Sequence, residues 1–123
     1  MEFKNQKPIY LQIADHICNR ILLGEYSEDE RLPSVREFAA EVEVNVNTVT
    51  RTFEYLQQNE VVASRRGLGV FVMLGARERV YAMRRTEFFN VHLPEVFALM
   101  DTLGISVEEV AAQYEKCQGN KAV

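Results

Sequence analysis

The chain has 123 residues, 47% of them hydrophobic, and a formal net charge of −4. This is enough for one domain with a small appendage and for an ordinary core, and no run of about 18 apolar residues is present to span a membrane. Net acidity argues against indiscriminate phosphate binding but not against a local basic patch: acids gather at positions 25–30 and at Glu37, Glu41 and Glu43, while bases gather at Arg65, Arg66, Arg77, Arg79, Arg84 and Arg85. The first eight residues lack the apolar stretch of a signal peptide. Two distant cysteines, Cys18 and Cys117, and two histidines, His16 and His92, match no metal-ligand spacing. These four side chains read as packing or surface residues, with no metal and no cofactor expected. A reducing cytoplasm is the simplest setting.

The first predicted element is a helix over residues 8–23. Pro8 suits a first turn, and Ile9, Ile13, Ile17 and Ile21 recur every fourth residue with Ala14, Cys18 and Leu22 beside them. Gly24 can close it in the left-handed conformation. A polar loop over 25–33 ends in Leu32-Pro33. Ser34 and Glu37 then have the spacing of a capping box, which starts a short helix through Phe38, Ala39 and Val42. Glu43 and Val44 make a tight turn. Asn45 or Asn47 can cap a third helix that carries Val49, Phe53 and Leu56 inward. Two short helices joined by a tight turn form a helix-turn-helix pattern.

After Asn59 the period becomes alternating. Residues 61–64 and 70–73 are strand-like, and residues 65–69, with two glycines, form the turn between them. The expected fold is mainly α with a small β-hairpin wing, an α+β winged helix-turn-helix over residues 1–74. Residues 75–123 read as a C-terminal helical region. Val80, Met83, Phe88 and Phe89 make an apolar stripe, Pro94 restarts a helix with Val96, Phe97, Met100 and Leu103, and Gly104 is a left-handed cap candidate. Ser106 and Glu109 form a second capping box, and residues 119–123 are expected to fray.

The run Arg31-Leu32-Pro33-Ser34-Val35-Arg36-Glu37-Phe38-Ala39 resembles the LPSxRxLA signature of GntR-family bacterial transcription regulators. Residues 8–13 are similar to that family's opening helix, 45–51 to its recognition helix and 66–72 to its wing. The Asn-Val-Asn-Thr-Val pattern and the short C-terminal region resemble the YtrA-like subfamily. Its members dimerise through C-terminal helices and often sit beside transporter genes. The roughly fifty residues after the wing are too few for the large effector domain of other branches. A small-molecule effector is not indicated; one would have to fit between the C-terminal helices or at the dimer interface. The resemblance has departures. Glu60 stands where the family usually has Gly, with Asn59 expected to supply the left-handed turn. Val46 and Thr50 stand where some branches carry arginine, and Leu68 replaces a common polar or basic wing-tip residue.

The resemblance implies double-stranded DNA as partner and gives roles to specific residues. Ser34 and Arg36 lie at the start of the second helix, and an arginine there can grip guanine O6 and N7 or a phosphate; pairing with Glu41 is the plainer alternative. Asn45, Asn47, Thr48, Thr50 and Arg51 populate the first turns of the third helix. Recognition helices present such residues to the major groove, whereas capping needs only one or two of them. Arg51 suits phosphate or base equally. Arg65, Arg66 and Gly67 form the wing tip, where arginine favours a narrow minor groove. The Gly67-Leu68-Gly69 run is not a phosphate loop, since it follows no strand-into-helix unit. Val80, Met83, Phe88, Phe89, Phe97 and Met100 are too many large apolar groups for a short arm to bury alone, so they are expected at a homodimer interface. A winged-helix adaptor for another protein is the alternative, and no nucleophile–base pair or carboxylate constellation suggests an enzyme.

Overall fold

The computed structural model describes residues 7–121. The elements in chain order are helix α1 (Ile9–Leu22), α2 (Val35–Val42), α3 (Val46–Gln58), strands β1 (Val62–Arg65) and β2 (Gly69–Val72), α4 (Ala76–Glu87), a π-helical turn (Phe88–His92), α5 (Leu93–Leu103) and α6 (Val107–Lys121). The chain divides into two compact units, one ending at Met83 and one beginning at Arg84.

The first unit is a three-helix core closed by the hairpin. Ile13, Ile17 and Ile21 of α1, Phe38 of α2, and Val49, Phe53 and Leu56 of α3 are buried together with Val61, Val62 and Val72. Ile9, the first member of the four-residue repeat, is 53% exposed, so the buried stripe of α1 starts one turn later than its sequence period. Gly24 takes the left-handed conformation expected of it, at φ +81°. The capping box of α2 is formed: Ser34 Oγ accepts from Glu37 N–H at 3.1 Å, and Ser34 N–H donates to Glu37 Oε1 at 2.9 Å. The Ser34 N–H first, and the Ser34 hydroxyl next, hold the Glu37 carboxyl below its ordinary range.

Two tight turns use left-handed residues that are not glycine. Glu43, between α2 and α3, has φ +57°, and Val44 N–H closes the turn on Ala39 O at 3.0 Å. After α3 it is Glu60, at φ +59°, that turns the chain, while Asn59 stays at φ −91°. The expectation that Asn59 would carry this geometry is corrected. The bonds Glu60 N–H to Gln57 O and Val61 N–H to Leu56 O place the turn one residue later, at the position where the family usually has glycine.

The hairpin pairs antiparallel, with Val62 opposite Val72 and Arg65 opposite Gly69. Its turn is therefore one residue tighter at each end than expected, since Arg65 and Gly69 both belong to strands. Leu68 N–H reaches Arg65 O at 2.9 Å, and Gly67 supplies the positive φ at the third turn position. The loop after α1 also pairs with β2: Asp29 N–H bonds Val72 O, Val72 N–H bonds Glu30 O, and Leu32 N–H bonds Val70 O. The wing is thus backed by a third, short extended segment.

The first unit runs beyond the expected boundary at residue 74 and takes in the first turns of α4. Ala76 and Val80, four residues apart on one side of the helix, are buried in the winged-helix core, and Met83 packs against it. Glu28 fixes the start of this helix by accepting Gly75 N–H at 2.9 Å and Arg77 N–H at 3.2 Å.

In the second unit Pro94 lies in the first turn of α5, as expected, but no break precedes that helix. The π-helical turn Phe88–His92 carries the chain directly into α5, with Leu93 N–H bonded to Phe88 O. A proline has no N–H to give, and a widened turn before it absorbs the misfit. Gly104 at φ +67° closes α5, with Ile105 N–H on Met100 O at 2.9 Å. The second capping box opens α6, Glu109 N–H donating to Ser106 Oγ at 3.1 Å. Residues 119–121, expected to fray, continue α6; residues 122 and 123 lie outside the described residues, as does most of the N-terminal segment that lacks a signal-peptide pattern.

Candidate nucleic-acid interface

The outer side of α3 is polar because its inner side is committed to the core. Val49, Thr52, Phe53 and Leu56 point inward, and Asn47, Thr50, Arg51 and Glu54 face solvent. Thr52 is the one polar residue buried on the inner side, and its single O–H has two acceptors in reach, Tyr10 O at 2.7 Å and Thr48 O at 3.1 Å. It contributes to architecture and not to the outer surface.

The expected contact residues fall into two groups by what their side chains already do. Asn45 caps α3, its Oδ1 accepting Asn47 N–H at 2.7 Å. Thr50 donates back to Val46 O at 3.0 Å. Ser34 serves the capping box of α2. Arg65 is held inside the wing by an ion pair with Asp29 and by the Phe71 ring, 4.1 Å from its guanidinium. Arg51 lies 4.0 Å from the centre of the Tyr10 ring.

In the second group, Arg36, Asn47, Thr48 and Arg66 make no side-chain hydrogen bond or ion pair among the described residues. The pairing of Arg36 with Glu41 is not formed there. Arg36 stands at the second position of α2, Asn47 and Thr48 in the first turn of α3, and Arg66 at the exposed wing tip. Thr48 is half-buried and the other three are exposed. These groups keep their full donor and acceptor capacity toward solvent.

Arg31 is a wing residue that charge patterning did not single out. Its Nε donates to Leu68 O at 3.0 Å and lies where a Cβ on Gly69 would be, 2.8 Å away. Gly69, at φ +114°, is therefore required both for its backbone angle and for the passage of the arginine beneath the wing tip. The signal was present in the sequence as Arg31 at the head of the LPSxRxLA-like run, but nothing local indicates that it reaches thirty-odd residues along the chain.

The family model described as "Bacterial regulatory proteins, gntR family" matches residues 9–72, from α1 to the last residue of β2. The chain belongs to this family. The HTH-type transcriptional regulator YhcF of Bacillus subtilis is 45% identical over 71 residues, covering 58% of this chain and 59% of YhcF. The HTH-type transcriptional repressor YtrA of the same organism is 31% identical over 74 residues, covering 60% of this chain and 57% of YtrA. The matches thus span a little under three-fifths of these relatives. A crystal structure of a GntR-family protein from Bacteroides thetaiotaomicron superposes with a TM-score of 0.81 at 44% identity, over 93% of this chain and 99% of that one. The GntR family is one of regulators and not of enzymes, and its winged helix accounts for the helix-turn-helix and hairpin described above.

Among the six expected interface residues the structure separates two kinds. Val80, 1% exposed, belongs to the core of the first unit and Met83 packs against that core, so both leave the apolar stripe expected of the C-terminal region; the four-residue spacing from Ala76 turns them inward. Met100 is also buried. Phe88, Phe89 and Phe97 are each about half exposed, together with Val91, Val96, Leu99, Leu103, Val107 and Tyr114. Among the described residues no group of histidine, cysteine and carboxylate side chains could hold a metal, and no helix is long and apolar enough to cross a membrane.

Proposed function

We propose that this GntR-family protein is a sequence-specific DNA-binding regulator of transcription. It acts as a homodimer on a partly palindromic operator and represses by occupancy, with a place near transporter genes as the expected setting. The observation that carries the reading is the set of uncommitted polar side chains at the start of α2, the first turn of α3 and the wing tip. Arg36 and Asn47 carry the donor and acceptor groups that pair with guanine and adenine edges, Thr48 can bond a base or touch a thymine methyl, and Arg66 can enter the minor groove. Asn45, Thr50 and Ser34 support these groups by fixing the helix starts, and Arg65 braces the wing. The resemblance to the repressor YtrA supports repression as the mode.

The homodimer is supported by the apolar residues of α5 and α6. Two copies related by a two-fold axis would present two α3 helices to half-sites about one DNA turn apart, or a multiple of that. The acidic total charge keeps non-specific affinity low, which leaves recognition to the local contacts.

The test is a gel shift on fragments that the protein retains from its own genome. Arg36→Ala, Thr48→Ala and Arg66→Ala are each expected to weaken specific binding, Arg36→Ala by the ~1–3 kcal/mol of a lost bidentate base contact. Unchanged affinity in all three contradicts the reading. A protein-docking role would instead give weak DNA binding with little dependence on salt.

A further inference from the structure

Three residues on one side of α3 converge on the first turn of α1. Arg51 places its guanidinium 4.0 Å from the centre of the Tyr10 ring. Tyr55, four residues along α3, meets the same ring edge-on, with centroids 6.3 Å apart and planes at 77°. Thr52, between them, donates to the Tyr10 carbonyl at 2.7 Å. Tyr10 is therefore fixed at its backbone by one bond and at its ring by one aromatic contact, and it offers its remaining surface to Arg51.

Such a contact restrains an arginine without consuming its hydrogen-bonding capacity. A guanidinium meets a ring through its positive charge and its face, while its five N–H groups lie in its plane and stay available to an outside acceptor. Arg51 is exposed and donates no hydrogen bond among the described residues. With Thr48 it borders a shallow hollow of about 150 Å³ that Pro8, Ile9 and Tyr10 also line. An arginine on a free stem would lose several rotamers on binding, and one already held against Tyr10 loses fewer.

We propose that Tyr10 is a positioning residue for DNA binding. It holds Arg51 beside the start of α1, so that the in-plane N–H groups meet a backbone phosphate of the duplex whose bases α3 reads. The inference rests on the DNA-binding reading above. It decides what the sequence left open for Arg51, in favour of phosphate: the side chain is drawn sideways toward α1 in the second turn of the helix, whereas the unpaired Asn47 and Thr48 occupy the first.

The test is fluorescence anisotropy with the full chain and a short mixed-sequence duplex over a salt series, since phosphate contacts do not need the operator. Tyr10→Phe keeps the ring and is expected to bind like the wild type. Tyr10→Leu is expected to bind roughly two- to fivefold more weakly. Arg51→Ala should lower the slope of log affinity against log salt by about 0.9, the loss of one phosphate contact. Adding Tyr10→Leu to Arg51→Ala should then change nothing further, a coupling that a purely structural tyrosine would not show. Should Tyr10→Leu fail to fold, Arg51→Lys carries the test. It keeps the charge and the salt slope, loses the planar group, and is expected to bind more weakly. Equal weakening by Tyr10→Leu with and without Arg51, undiminished affinity in Tyr10→Leu, or undiminished affinity in Arg51→Lys overturns the positioning role while leaving the DNA reading intact. Wild-type binding that ignores salt overturns both.

Discussion

The unit ending at Met83 and the unit beginning at Arg84 use the same kinds of apolar residue to opposite ends. In the first, Ile17, Phe38, Leu56, Val61 and Val72 are at most 1% exposed, and the loops between the helices are tied down by one capping box, by the Asn45 cap and by pairing with β2. In the second, Phe97, Leu99, Leu103 and Tyr114 are 49–65% exposed, and none of the described residues of α6 is buried. The first unit closes a core by itself and can leave its outer surface polar. The second presents apolar surface that water disfavours, at about 25 cal/mol per Å². On the proposed reading, recognition belongs to the first unit and assembly to the second.

The contrast can be broken most directly by making one chemical change in both places. Leu56→Ala should destabilise the protein by about 2–5 kcal/mol at any concentration, read by chemical denaturation, because it opens a cavity in a closed core. Leu99→Ala should act mainly through protein concentration. If the two variants lose equal stability at high dilution, α5 carries a core of its own and the contrast fails. Phe97→Asp sharpens the same point: light scattering after gel filtration should show a homodimer in the wild type and a monomer in the variant, with near-unchanged helical content.

Smaller effects probe the first unit alone. Thr52→Val removes the donor to Tyr10 O and should cost about 0.5–1.5 kcal/mol in thermal unfolding, the net worth of one part-buried hydrogen bond. Glu60→Gly should be stabilising, by about 0.5–1 kcal/mol, because glycine takes φ +59° without the penalty a side chain suffers there; its ion pair with Arg79, long and exposed, contributes little against that. The smallest change is one of pH profile. The Glu28 carboxyl is held below its ordinary 4.5, by Gly75 N–H first and Arg77 N–H next. Its contribution is therefore complete above pH 4.5 and fades as the pH falls through the lowered value. Glu28→Gln should flatten that part of the stability curve, and an unchanged acid limb would show that the start of α4 does not depend on the charge.

Local chemistry made much of this legible in the sequence. Both capping boxes, the left-handed Gly24 and Gly104, and the inward face of α3 follow from spacing that acts within a few residues. Three things did not. Pro94 stands in a continuous helical path because a π-helical turn absorbs it, which no single-residue rule announces. Val80 and Met83 share the period of the apolar stripe, and only the tertiary fold shows that this side of α4 meets the winged-helix core. At the candidate site, residue type marked the polar surface, but the division into groups already engaged and groups still free depends on partners far along the chain. Arg65 finds Asp29, and Arg51 finds Tyr10. The Arg31 bond to Leu68 is of the same kind.

The central claim is that the outer side of α3 enters DNA, twice per dimer. It is tested most directly by attaching an iron chelate at Thr50→Cys and mapping the strand breaks on a retained genomic fragment. The exposed Cys117 is first replaced by serine, and Cys18 is buried and does not compete. Two tight clusters of cleavage related by the operator's two-fold symmetry, about one helical turn apart or a multiple of that, are the predicted result. Breaks scattered evenly along the fragment, or none above background, would contradict the claim.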